Sequence, residues 1–234
     1  TIRIQRGSRA VFPVTIERSI IVTPTVKYEM IPGGIGFLRI IQFTTKTPDL
    51  VREAVDHFEE QGYESMIIDL RSNPGGVLTS VVDVADYFFE RGTIVGTSGR
   101  IPQENERFTA NPGSIVPDDL PIVVLVDSGS ASASEILAGV LQDRDRATII
   151  GETTYGKGSV QTVRRIGEGG FRLTTARYYL PSGRYIDEIG IDPNIEVEPP
   201  ELTDEQNEEY ADLRVSERIP QWVAENLNPS QAEV

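Results

Sequence analysis

Apolar and polar positions alternate with a period of two over residues 1–18, TIRIQRGSRAVFPVTIER, which predicts two strands joined by a Gly-Ser turn. Such a pair is too short to fold alone. Ser19 to Tyr28 and Gly34 to Phe43 read as two more strands, with Pro32-Gly33-Gly34 turning between them. The period then changes. In PDLVREAVDHFEEQG the apolar positions Leu50, Val51, Ala54, Val55 and Phe58 fall on one helical face. Pro48 suits a first helical turn and Gly62 a helix stop. SMIIDLRSNPGG places a buried strand, Met66 to Leu70, before a Gly-rich turn at Asn73 to Gly76, and a helix follows over about Leu78 to Arg91. The same order recurs: strand Ile122 to Asp127, turn SGSAS, helix from Ala133 to about Gln142, strand ATIIG. Repeated strand-turn-helix units predict an α/β fold with parallel strands at its centre. Alternation returns in SVQTVRR and FRLTTARYY, and no repeat of solenoid period is present.

The tail from Glu201 is acidic. Thr203 and Gln206 form a capping-box start, Pro220 breaks the helix, and a second short helix carries Trp222, Val223 and Leu227. A helix pair docked on the core is preferred here to an acidic partner-binding tail. No apolar run approaches the ~18 residues that cross a bilayer. No signal pattern is present, so the expectation is a mature or trimmed chain.

Composition narrows the chemistry. The 234 residues carry a formal charge of −14, which argues against a nucleic-acid backbone as partner. Zero cysteines exclude disulfides, thiolate metal sites and cysteine nucleophiles. The one histidine, His57, sits off the apolar face of its helix and reads as solvated, so a Ser-His-Asp triad is disfavoured.

Two stretches carry candidate chemistry. GSASASE, Gly129 to Glu135, offers Ser130, Ser132 and Ser134 where a buried strand turns into a helix. Unpaired amides at a helix start carry partial positive charge and can hold an oxyanion. Ser132 and Glu135 also match S-x-x-E, a capping box needing no chemistry, and the stretch alone favours that reading. GETTYGKGS, Gly151 to Ser159, nearly matches a phosphate-binding loop through Gly151, Gly156 and Lys157. Gly158 replaces the magnesium-holding hydroxyl, and the following residues read as strand rather than helix, so nucleotide binding is disfavoured. Lys157 can instead serve as a general base for a serine, provided that burial favours its neutral form. It is flanked by Tyr155 and glycines, with no adjacent acid; the bland alternative is a lysine on an exposed hairpin.

GSASASEILAGVLQDRDRATIIGETTYGKGSVQ resembles the signature of carboxyl-terminal processing peptidases, the tail-specific serine proteases of peptidase family S41. DLRSNPGG and ARYYLPSGR resemble two further segments of that family, in the proper order. The likeness runs from about Ser19 to Pro199. It implies a Ser-Lys pair, and the family's spacing from nucleophile to lysine picks Ser132 with Lys157. It implies that Gln161 orients Lys157, and strand alternation is expected to put both on one face. It implies an oxyanion hole from the Ala133 amide and from Gly75 or Gly76. An acid also stands at the family position of Asp143, read here as capping or bracing near Arg144 and Arg146.

The fold implied is a crotonase/ClpP-like α/β peptidase core, residues 19–200, with additional β-strands and a C-terminal helical segment, 201–234. Residues 1–18 resemble the last two strands of a PDZ domain whose carboxylate-binding loop is missing. The implied function is a serine endopeptidase acting through an acyl-enzyme on protein substrates with accessible C-terminal tails. No metal or organic cofactor is implied. The setting implied is the periplasm or another envelope compartment, with a homo-oligomer or a regulatory partner left open. The alternative is a resting or inert peptide-binding scaffold of the same fold.

Overall fold

The computed structural model describes residues 2–5, 11–15 and 24–198. The predicted strands upstream of Pro24 are therefore only partly described, and the C-terminal helical segment lies outside the described residues. The elements, in chain order, are β1 Ile2–Ile4, β2 Phe12–Val14, β3 Val26–Ile31, β4 Ile35–Ile40, α1 Thr47–Gln61, β5 Ser65–Asp69, α2 Leu78–Asp86, β6 Gly92–Gly99, β7 Arg107–Ala110, β8 Ile122–Val126, α3 Ala133–Asp143, β9 Thr148–Gly151, β10 Ser159–Ile166, β11 Gly169–Tyr179 and β12 Ile195–Glu196. One turn of 3₁₀ helix, Pro102–Glu104, precedes β7.

β1 and β2 pair antiparallel as the alternation predicted. Most of the chain builds two sheets. The larger has the order β12-β9-β8-β5-β4-β3. Its strands are parallel from β4 to β12, and β3 pairs antiparallel to β4. The smaller has the order β10-β11-β6-β7 and is antiparallel throughout. The parallel strands follow from short, near-continuous apolar runs such as MIID and IVVLV, buried on one face and half-buried at Ile67, Val123 and Leu125 on the other.

α1 packs Val51, Ala54, Val55 and Phe58 inward, with Pro48 in its first turn and Gly62 closing it in the left-handed conformation at φ 69°. Gly36 of β4 meets that helix: a β-carbon there would lie 2.7 Å from the Phe58 ring. α2 is shorter than its apolar pattern suggests, ending at Asp86. Phe88 and Phe89 are buried just beyond its end. α3 is buried almost all round, from Ala133 to Leu141. It packs on α2 and on strands of both sheets. None of the described helices is long and apolar enough to cross a membrane.

Register decides where chemistry can sit. Asp69 of β5 pairs with Leu125 of β8, and Val126 of β8 pairs with Gly151 of β9. Three parallel neighbours therefore end together. The segments leaving their carboxyl ends, SNPGG, SGSAS and ETTYGKG, are set side by side, at the edge where open parallel sheets commonly bind ligands.

Candidate active site

The central segment turns the chain from β8 into α3. Its corner is Ser132, the helix N-cap, at φ 58° and ψ −111°. A serine at such a backbone conformation is strained by about 1–3 kcal/mol and persists only where its surroundings over-determine it. They do so here. The Ser132 N–H donates to Glu135 at 2.7 Å, and its carbonyl accepts the Ile136 N–H at 3.0 Å.

The neighbouring serines are spent on structure. Ser130 is fully buried; its Oγ donates to the Leu70 carbonyl at 2.8 Å and accepts the Asp127 N–H at 3.0 Å. Ser134 is fully buried too, and its Oγ donates to the Asn73 carbonyl at 3.0 Å. Ser132 alone of the three is partly exposed. The alternating small residues thus send two hydroxyls inward and leave the middle one at the surface.

The Asn73–Gly76 turn lies against this corner. A β-carbon on Gly75 would stand 2.5 Å from the Ala131 carbonyl oxygen and 2.8 Å from both Ala133 N and Ser132 Cβ, so only glycine allows the approach. Gly75 also has φ 92°. Phe43 fixes the other side: its N–H donates to Gly75 O at 3.0 Å, and its carbonyl accepts the Val77 N–H at 2.9 Å. Because residues 75 and 77 bond Phe43, Gly76 between them turns its own N–H away from that strand. A β-carbon on Gly76 would overlap the Phe43 carbonyl oxygen. The Gly75 N–H is taken by Asn73 Oδ1 at 2.9 Å. Neither the Gly76 N–H nor the Ala133 N–H has a protein acceptor among the described residues.

In the sequence Asn73 reads only as the start of a glycine turn. It is fully buried and uses every polar group. Nδ2 donates to the Ile40 carbonyl at 2.7 Å, Oδ1 accepts from Gly75, and its own carbonyl accepts the Ala131 N–H at 2.9 Å and the Ser134 hydroxyl. It ties the glycine turn to β4 and to the serine corner at once. Asn73→Ala leaves a buried carbonyl and a buried amide unpaired, so a loss of about 2–3 kcal/mol is expected. A lowered denaturant midpoint at unchanged m-value checks it.

The third segment meets the second through Glu135, fully buried one helical turn from Ser132. Its Oε1 accepts from Thr154 Oγ1 and from the Gly156 N–H, each at 2.6 Å. Its Oε2 accepts from the Ser132 N–H at 2.7 Å and from the Lys157 N–H at 2.8 Å. Four donors compensate the burial of one carboxylate. The start of α3 adds favourable dipole charge. The capping-box pattern found this residue, but not its bonds to a loop some twenty positions on. Those bonds make Glu135 the joint between the serine corner and the lysine loop. Tyr155 N–H adds a further tie to the Ser130 carbonyl at 3.0 Å.

The Lys157 backbone is therefore anchored, while its side chain is exposed rather than buried. No hydrogen bond joins Ser132 to Lys157, whose ammonium forms no ion pair among the described residues. Gln161 is exposed as well. The strand alternation expected to align it with Lys157 is not present: β10 begins only at Ser159, and a bulge shifts the register between Val160 and Gln161. A bulge re-aims side chains locally. Asp143 is a brace, though not to Arg144 or Arg146. It binds Arg184 at 2.9 Å and accepts the Ser182 N–H at 2.9 Å, at the far end of α3. His57 packs against Tyr28, ring centroids 5.6 Å apart, on α1. It lines a shallow acidic depression with Asp49, Glu53 and Asp56 that shares no residue with the three turns. A phosphate-binding loop is excluded in form, since a strand and not a helix follows Lys157.

The model of peptidase family S41 matches residues 34–197. The chain is 48% identical over 192 residues to a carboxy-terminal-processing protease of Bartonella bacilliformis, covering 80% of this chain and 44% of that protein. It is 44% identical over 171 residues to a carboxyl-terminal-processing protease of Synechocystis sp., covering 72% and 39%. Among solved structures it is similar to the photosystem II D1 C-terminal processing protease, with a TM-score of 0.70 and 33% identity over 80% of this chain and 51% of that one. The chain thus spans less than half the length of these two curated relatives.

Proposed function

The chain belongs to peptidase family S41, and on that premise we propose that it is a serine endopeptidase cleaving protein substrates near their C-termini, with Ser132 as nucleophile. The observation that carries this reading is the corner itself. One strained, partly exposed serine stands at a helix start, its two sister serines bonded inward, with two uncommitted N–H groups close by.

In the reaction, Ser132 Oγ attacks the scissile carbonyl carbon while Lys157 Nζ, in its neutral form, takes the hydroxyl proton. The tetrahedral oxyanion is held by the N–H groups of Ala133 and Gly76. Gly76 is preferred to Gly75 because the Gly75 N–H is already bonded to Asn73. Collapse breaks the C–N bond, and Lys157 returns its proton to the leaving amine. Water then attacks the acyl-enzyme with Lys157 as base, releasing the acid and restoring the serine. Gln161 is the proposed positioning partner of the lysine, and the chemistry calls for no metal or cofactor. In the arrangement described, the long lysine side chain has to swing inward from solvent over a fixed backbone before the dyad can work.

That same gap favours a second reading, a resting or inert peptide-binding module of this fold. Incubating the protein with a folded partner bearing an unstructured C-terminal tail separates the two. New fragments absent from a Ser132→Ala control support the peptidase. Saturable binding of the tail with no fragments supports the inert module. The proposed setting is the periplasm or another envelope compartment.

A further inference from the structure

The ribbon formed by β10 and β11 is exposed in a way that the site around Ser132 does not explain. β11 joins β6 only through Ala176 to Tyr179, so residues 161–174 form a two-stranded ribbon reaching past the sheet. Cross-strand pairing puts Thr162 opposite Leu173, Arg164 opposite Phe171 and Ile166 opposite Gly169. One face therefore carries Leu173, Phe171 and Ile166 in a row, with relative exposures of 52%, 42% and 68%. An isolated hairpin is marginal in water, and an open edge with an exposed apolar row is a liability that proteins otherwise blunt. Retention of such a surface marks an interaction site.

Three further observations say what it would take. β10 lies at the edge of its sheet, so one row of its backbone donors and acceptors is free to pair with an added strand. The ribbon carries Arg164, Arg165 and Arg172 against Glu168 alone, a positive arm on a chain whose net charge is −14. None of the three arginines pairs with an acid among the described residues. The edge strand begins at Ser159, directly after the lysine loop.

We propose that β10 is a docking strand for substrate: an extended polypeptide segment of alternating apolar and acidic residues adds to its outer edge and is led along it towards Ser132. This inference rests on the peptidase reading. Backbone bonds to β10 supply affinity, the Ile166, Phe171 and Leu173 row takes apolar side chains, and the arginines attract carboxylates and speed encounter. A short peptide that reaches only Ser132 gains nothing from the ribbon.

The test uses two ribbon variants, Phe171→Ser with Leu173→Ser, and Arg164→Glu with Arg165→Glu. Each is assayed on a protein with a long Leu/Glu-rich unstructured tail and on a short peptide spanning its cleavage site. The expected result is a KM raised by about 10-fold or more on the long substrate, with kcat and short-peptide turnover unchanged. In the wild type the long-substrate KM should also rise with salt, and less so in the arginine variant. Fluorescence anisotropy of the tail bound to Ser132→Ala protein, with and without the ribbon substitutions, reads docking independently of cleavage. Ribbon-dependent binding without cleavage would sink the peptidase reading and keep the docking strand. Equal effects on long and short substrates, or none on either, overturn the docking strand. So does a change confined to sedimentation behaviour, which would assign the ribbon to contacts between copies of the chain.

Discussion

Ser132→Ala is expected to lower kcat on a tail-bearing protein by about 10⁴-fold or more, and Lys157→Ala by a similar factor. The double variant should be no slower than either single one, because residues that act as one unit lose their effect together. Ser130→Ala and Ser134→Ala should behave otherwise. Each removes a buried hydroxyl bonded to the carbonyl of Leu70 or Asn73, so each costs stability, about 1–2 kcal/mol, while the folded fraction keeps most of its activity. A further signature separates a strained nucleophile from a helix cap. At φ 58° glycine is unstrained, so Ser132→Gly should abolish cleavage yet raise stability, by about 1 kcal/mol. If Ser132 served only as a cap, replacing it with alanine should cost about 1 kcal/mol and leave cleavage intact. Denaturant midpoints measured beside kcat distinguish the two.

Glu135→Ala carries the second large effect, and it acts through position rather than contact with substrate. It leaves the Gly156 N–H and the Thr154 hydroxyl without their acceptor in a buried site, and the N–H groups of Ser132 and Lys157 in a partly buried one. An unsatisfied buried polar group costs about 1–3 kcal/mol, so a loss of about 3 kcal/mol or more is expected even after the loop relaxes. Glu135→Gln keeps one oxygen and turns an NH₂ towards two donors, so it should recover part of that loss. A purely structural role predicts that kcat recovers once the protein is held well below its unfolding temperature. The hinge role predicts otherwise: kcat stays down by about 10²-fold in the folded variant, with KM little changed, because the corner and the lysine loop are no longer held in register. Hydrogen exchange at the Gly156 and Lys157 amides should rise in Glu135→Ala while that of the β5 and β8 amides does not.

The sequence pattern located most of what local physics decides. α1 begins and ends where Pro48 and Gly62 place it, and the strand-turn-helix repeats do produce parallel neighbours. It missed β6 and β7, because residues 92–110 mix glycine, threonine and charge and owe their strand form to pairing with each other and with β11. It also ran α2 on to Arg91, reading as one helix an apolar run that instead turns at Tyr87 so that Phe88 and Phe89 can be buried. In the site, Ser132 could not be told from Ser130 or Ser134 by spacing within the turn. The family resemblance picks Ser132 by its spacing to Lys157, and the physical distinction lies in long-range bonds, of Ser130 to Leu70 and of Ser134 to Asn73. The wider roles of Asn73 and Glu135 escape the pattern for the same reason: Asn73 reads only as part of a turn and Glu135 only as a capping partner, while their partners Ile40 and Gly156 are remote in sequence. The regular strand on which the alignment of Gln161 with Lys157 depends is interrupted by a local detail, a bulge that two-residue alternation cannot foresee.

In the reaction proposed, the carbonyl carbon of the substrate becomes bonded to Ser132 Oγ. The most direct test is to mix the protein with an activated acyl ester, quench in acid and map the acylated peptide by mass spectrometry. One acyl group is expected on the peptide containing Ser132, localised to that residue by fragmentation and absent from Ser132→Ala. Acylation of Ser130 or Ser134, or of Ser132→Ala protein at the same level as wild type, would contradict it.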